Sequence, residues 1–135
     1  MSPRPDIESI FPYQLHTGCE LELMLQAKKP LASFCDTFES SFNEAIIPEQ
    51  AFAPHVESGR FIKRVFVVGE LPNQLRRVLY ALPQEAWRID AYLLMWNVAE
   101  RSGWNEALER MEGRLLGYED WQCDFHIQNR FSKKN

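Results

Sequence analysis

The sequence predicts an α+β fold: a single, mainly helical domain of about five helices with a small sheet or hairpin built on residues 61–68. Three observations lead there. At 135 residues the chain suits one domain and is too short for two separate cores. Phe61 to Val68 is a β-branched and aromatic run with apolar side chains on both alternating faces. Most of the remainder places apolar residues at helical spacing between prolines and glycines. A 45% hydrophobic and 13% aromatic composition supplies a core without a disulfide or a metal.

Residues 1–6 are expected to form a flexible tail, 7–131 the globular domain, and 132–135 a second tail. Ile7 to Tyr13 is a short apolar segment, either a strand or simply extended. Thr17-Gly-Cys-Glu20 matches a capping box and starts a helix near Gly18, with Leu21, Met24, Leu25 and Lys28 on one face. A strand reading of Cys19, Leu21, Leu23 and Leu25 is the alternative. After Pro30, the spacing of Leu31, Phe34, Cys35, Phe38 and Phe42 predicts an amphipathic helix that ends before Pro48. Pro48 to Gly59 reads as an irregular connector, with one helical turn as an option.

The strand at 61–68 needs a partner: Ile7 to Tyr13, Trp121 to Ile127, or the same strand of a second copy. Leu75, Val78, Leu79 and Leu82 predict a helix stopped by Pro83. Pro83 opens a longer helix to about Arg101, and Asn105 caps another that carries Leu108, Met111 and Leu115 and stops at Gly117. Tyr118 to Phe131 fits a helix or a strand.

Several function classes are disfavoured. No apolar run approaches the roughly 20 residues of a membrane span, and the N-terminal composition is not that of a secretory leader. Cys19, Cys35 and Cys123 are too few and too scattered for a disulfide framework, so a reducing cytoplasm is the expected setting. The net charge of −4 and the absence of a recognised binding motif argue against nucleic acid, despite a basic stretch from Arg60 to Arg88 with Tyr80 placed for stacking. That stretch and an acidic block from Glu106 to Asp124 are expected to be neutralised within the molecule.

Four residues are candidate binding groups. On the long helix Asp90, Asn97 and Arg101 share the polar stripe, whereas Arg88 lies opposite, towards the core or a crevice. A buried arginine needs a carboxylate, backbone carbonyls or an anionic ligand. Trp104, Tyr118 and Trp121 sit at two turns, where aromatic rings either tuck inward or anchor a partner. His16-x-x-Cys19 and Cys123-x-x-His126 would make a zinc site or a Cys–His nucleophilic pair only if the chain brought them together, and no metal or cofactor is assigned. Glu109 and Glu112 read as the solvated face of an ordinary helix. The expectation is a non-enzymatic interaction or regulatory domain whose partner is another protein or a second copy. The alternative is a small enzyme or anion binder using Arg88 or the His/Cys residues.

Overall fold

The computed structural model describes residues 13–37 and 43–131. Both expected tails, most of the Ile7 to Tyr13 segment, and Phe38 and Phe42 lie outside them. The elements run α1 (Glu20–Leu25), β1 (Leu31–Thr37), α2 (Glu49–Glu57), β2 (Ile62–Val68), β3 (Leu75–Ala81), a 3-10 turn (Pro83–Glu85), α3 (Trp87–Ser102), α4 (Glu106–Leu115) and α5 (Asp120–Phe131). Five helices and a three-stranded antiparallel sheet among the described residues give the α+β class that the sequence predicts.

The strand order is β1-β3-β2, with β3 in the middle. Leu31 pairs with Ala81 and Thr37 with Leu75 on one side; Ile62 pairs with Ala81 and Val68 with Leu75 on the other. So the partner of the 61–68 strand is none of the three expected, but the segment that reads as a helix at Leu75 to Leu82. The helix expected from Leu31 is likewise a strand. The cause is common to both. Helices cover both faces of the sheet, so its strands lack a simple apolar/polar alternation and their apolar residues also match i, i+3, i+4 spacing.

On one face Ala32, Val78 and Tyr80 pack with Met24 of α1, Phe52 of α2, and Ile47, Phe61 and Leu82. On the other, Leu31, Leu79 and Ala81 pack with Ile89, Tyr92 and Met95 of α3 and with Leu108 and Leu115 of α4. Successive side chains on a strand point to opposite faces, which explains why Val78 to Ala81 are all fully buried. Tyr80 is therefore a core residue stacked on Phe52, centroids 4.1 Å apart, and is not placed for stacking on a base.

Local chemistry accounts for the helix ends. Thr17 does not cap α1, whose cap position is Cys19 with no side-chain bond; Glu20 instead accepts from the Gly18 amide at 2.9 Å. The expected connector at 48–59 contains α2, because the Glu44 carboxylate accepts from the Gln50 and Ala51 amides at 2.9 and 3.0 Å and caps it from outside. Glu49 of α2 then binds Lys63 of β2 and Arg76 of β3, fixing the helix to the sheet. Asn105 does cap α4, accepting from Leu108 at 2.9 Å. The 118–131 segment contains α5, which runs back along α4 with Cys123 against Gly113 and Arg130 bonded to Glu109. The two charged blocks do not pair with each other in any ion pair among the described residues: Arg110 pairs with Asp124 and Arg114 with Asp120 inside the acidic block, while Lys63 and Arg76 pair with Glu49 and Arg88 with Glu85.

Candidate functional site

The α4–α5 hairpin turns at Gly117, where φ is 101° and an added Cβ would stand 2.6 Å from Pro30 Cδ, so no other residue fits without a shift. A second glycine, Gly113, lies inside α4, where glycine costs roughly 0.5–1 kcal/mol relative to alanine. Its reason is packing: an added Cβ would stand 2.7 Å from Cys123 Sγ of α5. The close approach of α5 leaves a cavity of about 310 Å³ beside the hairpin, walled on its third side by residues 13–17. Tyr13, Leu15, Leu116 and Tyr118 make most of the lining apolar, and Glu109, Glu112 and His126 bring the polar groups.

The two carboxyls are held differently. Glu109 is 5% exposed. Its Oε2 accepts from Trp104 Nε1 at 2.7 Å, and its Oε1 from Arg130 and from His126 Nε2, the latter at 3.0 Å. Burial alone would raise its pKa, but the bonds from His126 and Trp104, with the Arg130 charge, hold it below the usual carboxylate value. Glu112 receives a hydrogen bond from the Tyr92 phenol and forms no ion pair among the described residues. Burial pushes its carboxyl upward. The sequence reading of both as a solvated face is thus overturned: α5 and the 13–17 segment cover that side of α4.

A second cluster closes the C-terminal end of α4. Lys29, 2% exposed, donates to the Leu116 carbonyl and to His16 Nδ1, both at 2.8 Å. The His16 ring stacks on Tyr118 at 3.9 Å, and its backbone amide donates to the Tyr118 hydroxyl at 2.8 Å. Lys29 has no carboxylate partner among the described residues, and burial lowers its pKa to about 7, with Glu20 opposing. Burial and the Lys29 charge lower His16 to about 4. A neutral imidazole accepting at Nδ1 fits this geometry.

Arg88 does turn inward, and of the three alternative kinds of partner expected for it the chain supplies two, a carboxylate and backbone carbonyls. Its Nε donates to Glu85 at 2.9 Å, and one Nη to the carbonyls of Arg114 and Leu115 at 2.9 and 3.2 Å. It therefore caps α4, whose C-terminal carbonyls attract cations. It also lines an open groove with Arg110 and Arg114, each of the three already paired with a carboxylate.

Of the other expected site residues, Tyr118 lines the cavity, Trp104 reaches it through Glu109, and Trp121 through an edge-on contact with Tyr13 at 5.4 Å. Cys123 and His126 line it as well, but His16 and Cys19 do not. No cluster of three or more His, Cys, Asp or Glu suited to a metal occurs among the described residues. Lys29 and Glu112 escape sequence reading because their burial comes from segments remote in the chain. Comparison with protein families, with curated proteins and with solved structures finds no match to this chain.

Proposed function

We propose that this chain is a non-enzymatic interaction domain that pairs with a second copy of itself through the outer face of α3. The observation that carries the reading is a stripe on that helix. Trp87, Leu94 and Val98 are 56%, 60% and 41% exposed, and with Ala91 they recur at i, i+4, i+7 and i+11, one narrow face. A helix that buries Ile89, Tyr92 and Met95 inward and still presents this stripe outward is apolar on two sides. Such a surface is typical of an interface.

The stripe is also self-complementary. Two copies packed antiparallel about a two-fold axis set Trp87 against Val98 and Ala91 against Leu94, a large side chain facing a smaller one at each level. The aromatic surface expected at the α4 ends offers less. Tyr118 is half-buried, and Trp104 and Trp121 are both less exposed than Trp87, whose indole N–H is bonded to Glu85 as theirs are to Glu109 and Glu119. No helix among the described residues is long and apolar enough to cross a membrane. The free thiols Cys19, Cys35 and Cys123 support a reducing compartment, the cytoplasm in the simplest case.

Sedimentation equilibrium tests the reading. The wild type should be a dimer at micromolar concentration, and Leu94→Glu with Val98→Glu should be a monomer with an unchanged circular dichroism spectrum. A wild-type monomer throughout refutes self-association. A dimer that survives the double substitution places the interface elsewhere, and Trp121→Ala then tests the α5 end.

A further inference from the structure

The cavity beside α4 and α5 holds a charge imbalance that the interface reading does not use. Its two carboxyls stand on the same helix face, three residues apart. Glu109 is answered by Arg130 and His126, and its second oxygen by the Trp104 indole. Glu112 has the Tyr92 hydroxyl on Oε2 and no ion pair among the described residues; Arg130 and His126, both bonded to Glu109, favour its charge only through space. A half-buried carboxylate without an ion pair of its own is costly, and desolvation together with the neighbouring Glu109 charge outweighs Tyr92, Arg130 and His126, so the group holds its proton more tightly. Around it the walls are apolar: Tyr13, Leu116 and Tyr118 contribute two aromatic rings and an aliphatic side chain. At about 310 Å³ the space lies at the small end of the range that ligand sites occupy, roughly 300–1,000 Å³.

We infer that this cavity is a binding site for a small organic ammonium, an amine carried on an aromatic or aliphatic body, with Glu112 as its counter-ion. The ligand supplies what the protein lacks. Its N–H groups give Glu112 a charged donor, and its apolar body replaces water against Tyr13 and Tyr118. Anions are turned away by the two carboxyls. A neutral ligand of the same shape gains the apolar contact without the ion pair. Divalent metals are poorly served, because one of the two carboxylates on the lining, Glu109, has both oxygens already taken by Trp104, His126 and Arg130. Binding is linked to proton release from Glu112, so affinity falls as the solution is acidified below the raised carboxyl value.

Calorimetric titration with three probes of matched shape tests this: phenethylammonium chloride, phenethyl alcohol and sodium hydrocinnamate. The ammonium should bind at least about tenfold more tightly than the alcohol, and the carboxylate should not bind detectably. Glu112→Gln keeps the shape and the Tyr92 hydrogen bond, and should abolish the preference for the ammonium over the alcohol. Thr17→Trp, at an exposed position on the rim, should block both ligands while leaving the core untouched. The inference is overturned if the ammonium shows no preference over the alcohol, if the carboxylate binds as well, or if nothing binds at millimolar concentration. Should Glu112→Gln fail to fold, Thr17→Trp decides: undiminished ammonium binding there places the ligand elsewhere and sinks the site.

Discussion

Replacing Lys29 with methionine should flatten the pH dependence of stability between pH 7 and 8.5. Lys29 is almost fully buried, and its Nζ touches a carbonyl and an imidazole but, among the described residues, no carboxylate. Its folded pKa is therefore about 7, against about 10.4 in an unfolded chain. A cation with a depressed folded pKa contributes its full stability above the unfolded value, and that contribution is lost as pH falls to the folded value. Over the lower part of this window the unfolded chain holds a proton that the folded chain has released. Integrating the two titrations from pH 7 to 8.5 gives a rise on the order of 1–2 kcal/mol. With an unfolding entropy of roughly 2.1 cal/mol/K per residue, this is a gain of several °C in melting temperature for a chain of this length.

The interval ends at pH 8.5 for a reason. Burial raises the Cys123 thiol and the Tyr92 and Tyr118 phenols, and groups with raised folded pKa values lose their contribution as pH climbs through that range. Differential scanning calorimetry of wild type and Lys29→Met across the interval measures the slope directly. The variant also orphans the Leu116 carbonyl, so its absolute stability can move either way; the slope is the readout. A wild-type slope near zero, or one that persists in the variant, refutes the assignment of a neutralised buried amine. Below neutrality His16 adds its own loss of stability between about pH 6.5 and 4. Removing the Lys29 charge should make that acid limb shallower.

Two further outcomes follow from the packing of α4. Arg88→Met removes the bonds to the Arg114 and Leu115 carbonyls, and charge-assisted hydrogen bonds of this kind contribute roughly 1.5–3 kcal/mol. The variant should unfold at about 2 kcal/mol less by urea titration, and a change below about 0.5 kcal/mol would remove Arg88 as the helix cap. Gly113→Ala should destabilise by about 1–3 kcal/mol through the clash with Cys123, despite alanine's better helix propensity. Adding Cys123→Ala should recover part of that loss in a double-mutant cycle, and strict additivity would place the strain elsewhere.

How much of this was legible depends on the range of the forces involved. The α3 and α4 helices, the Asn105 cap, the stops at Gly103 and Gly117, and strand β2 are set by interactions within a few residues, and sequence spacing reveals them. The inward turn of Arg88 is legible for the same reason, since a helical wheel fixes side-chain direction, although its partners on α4 do not show in the spacing. Strands β1 and β3 were not legible. Leu75-Arg-Arg-Val-Leu-Tyr-Ala81 is built largely from good helix formers, and only pairing with two neighbours and burial between two helix layers makes it the central strand. Tertiary packing likewise decided the candidate site. Glu109, Glu112 and Lys29 are ordinary surface residues by local pattern; Glu109 and Lys29 become buried and Glu112 half-buried, and all three chemically distinct, because segments far away in the chain close over them. Desolvation depends on what covers a group in space, and no spacing within a single helix encodes that.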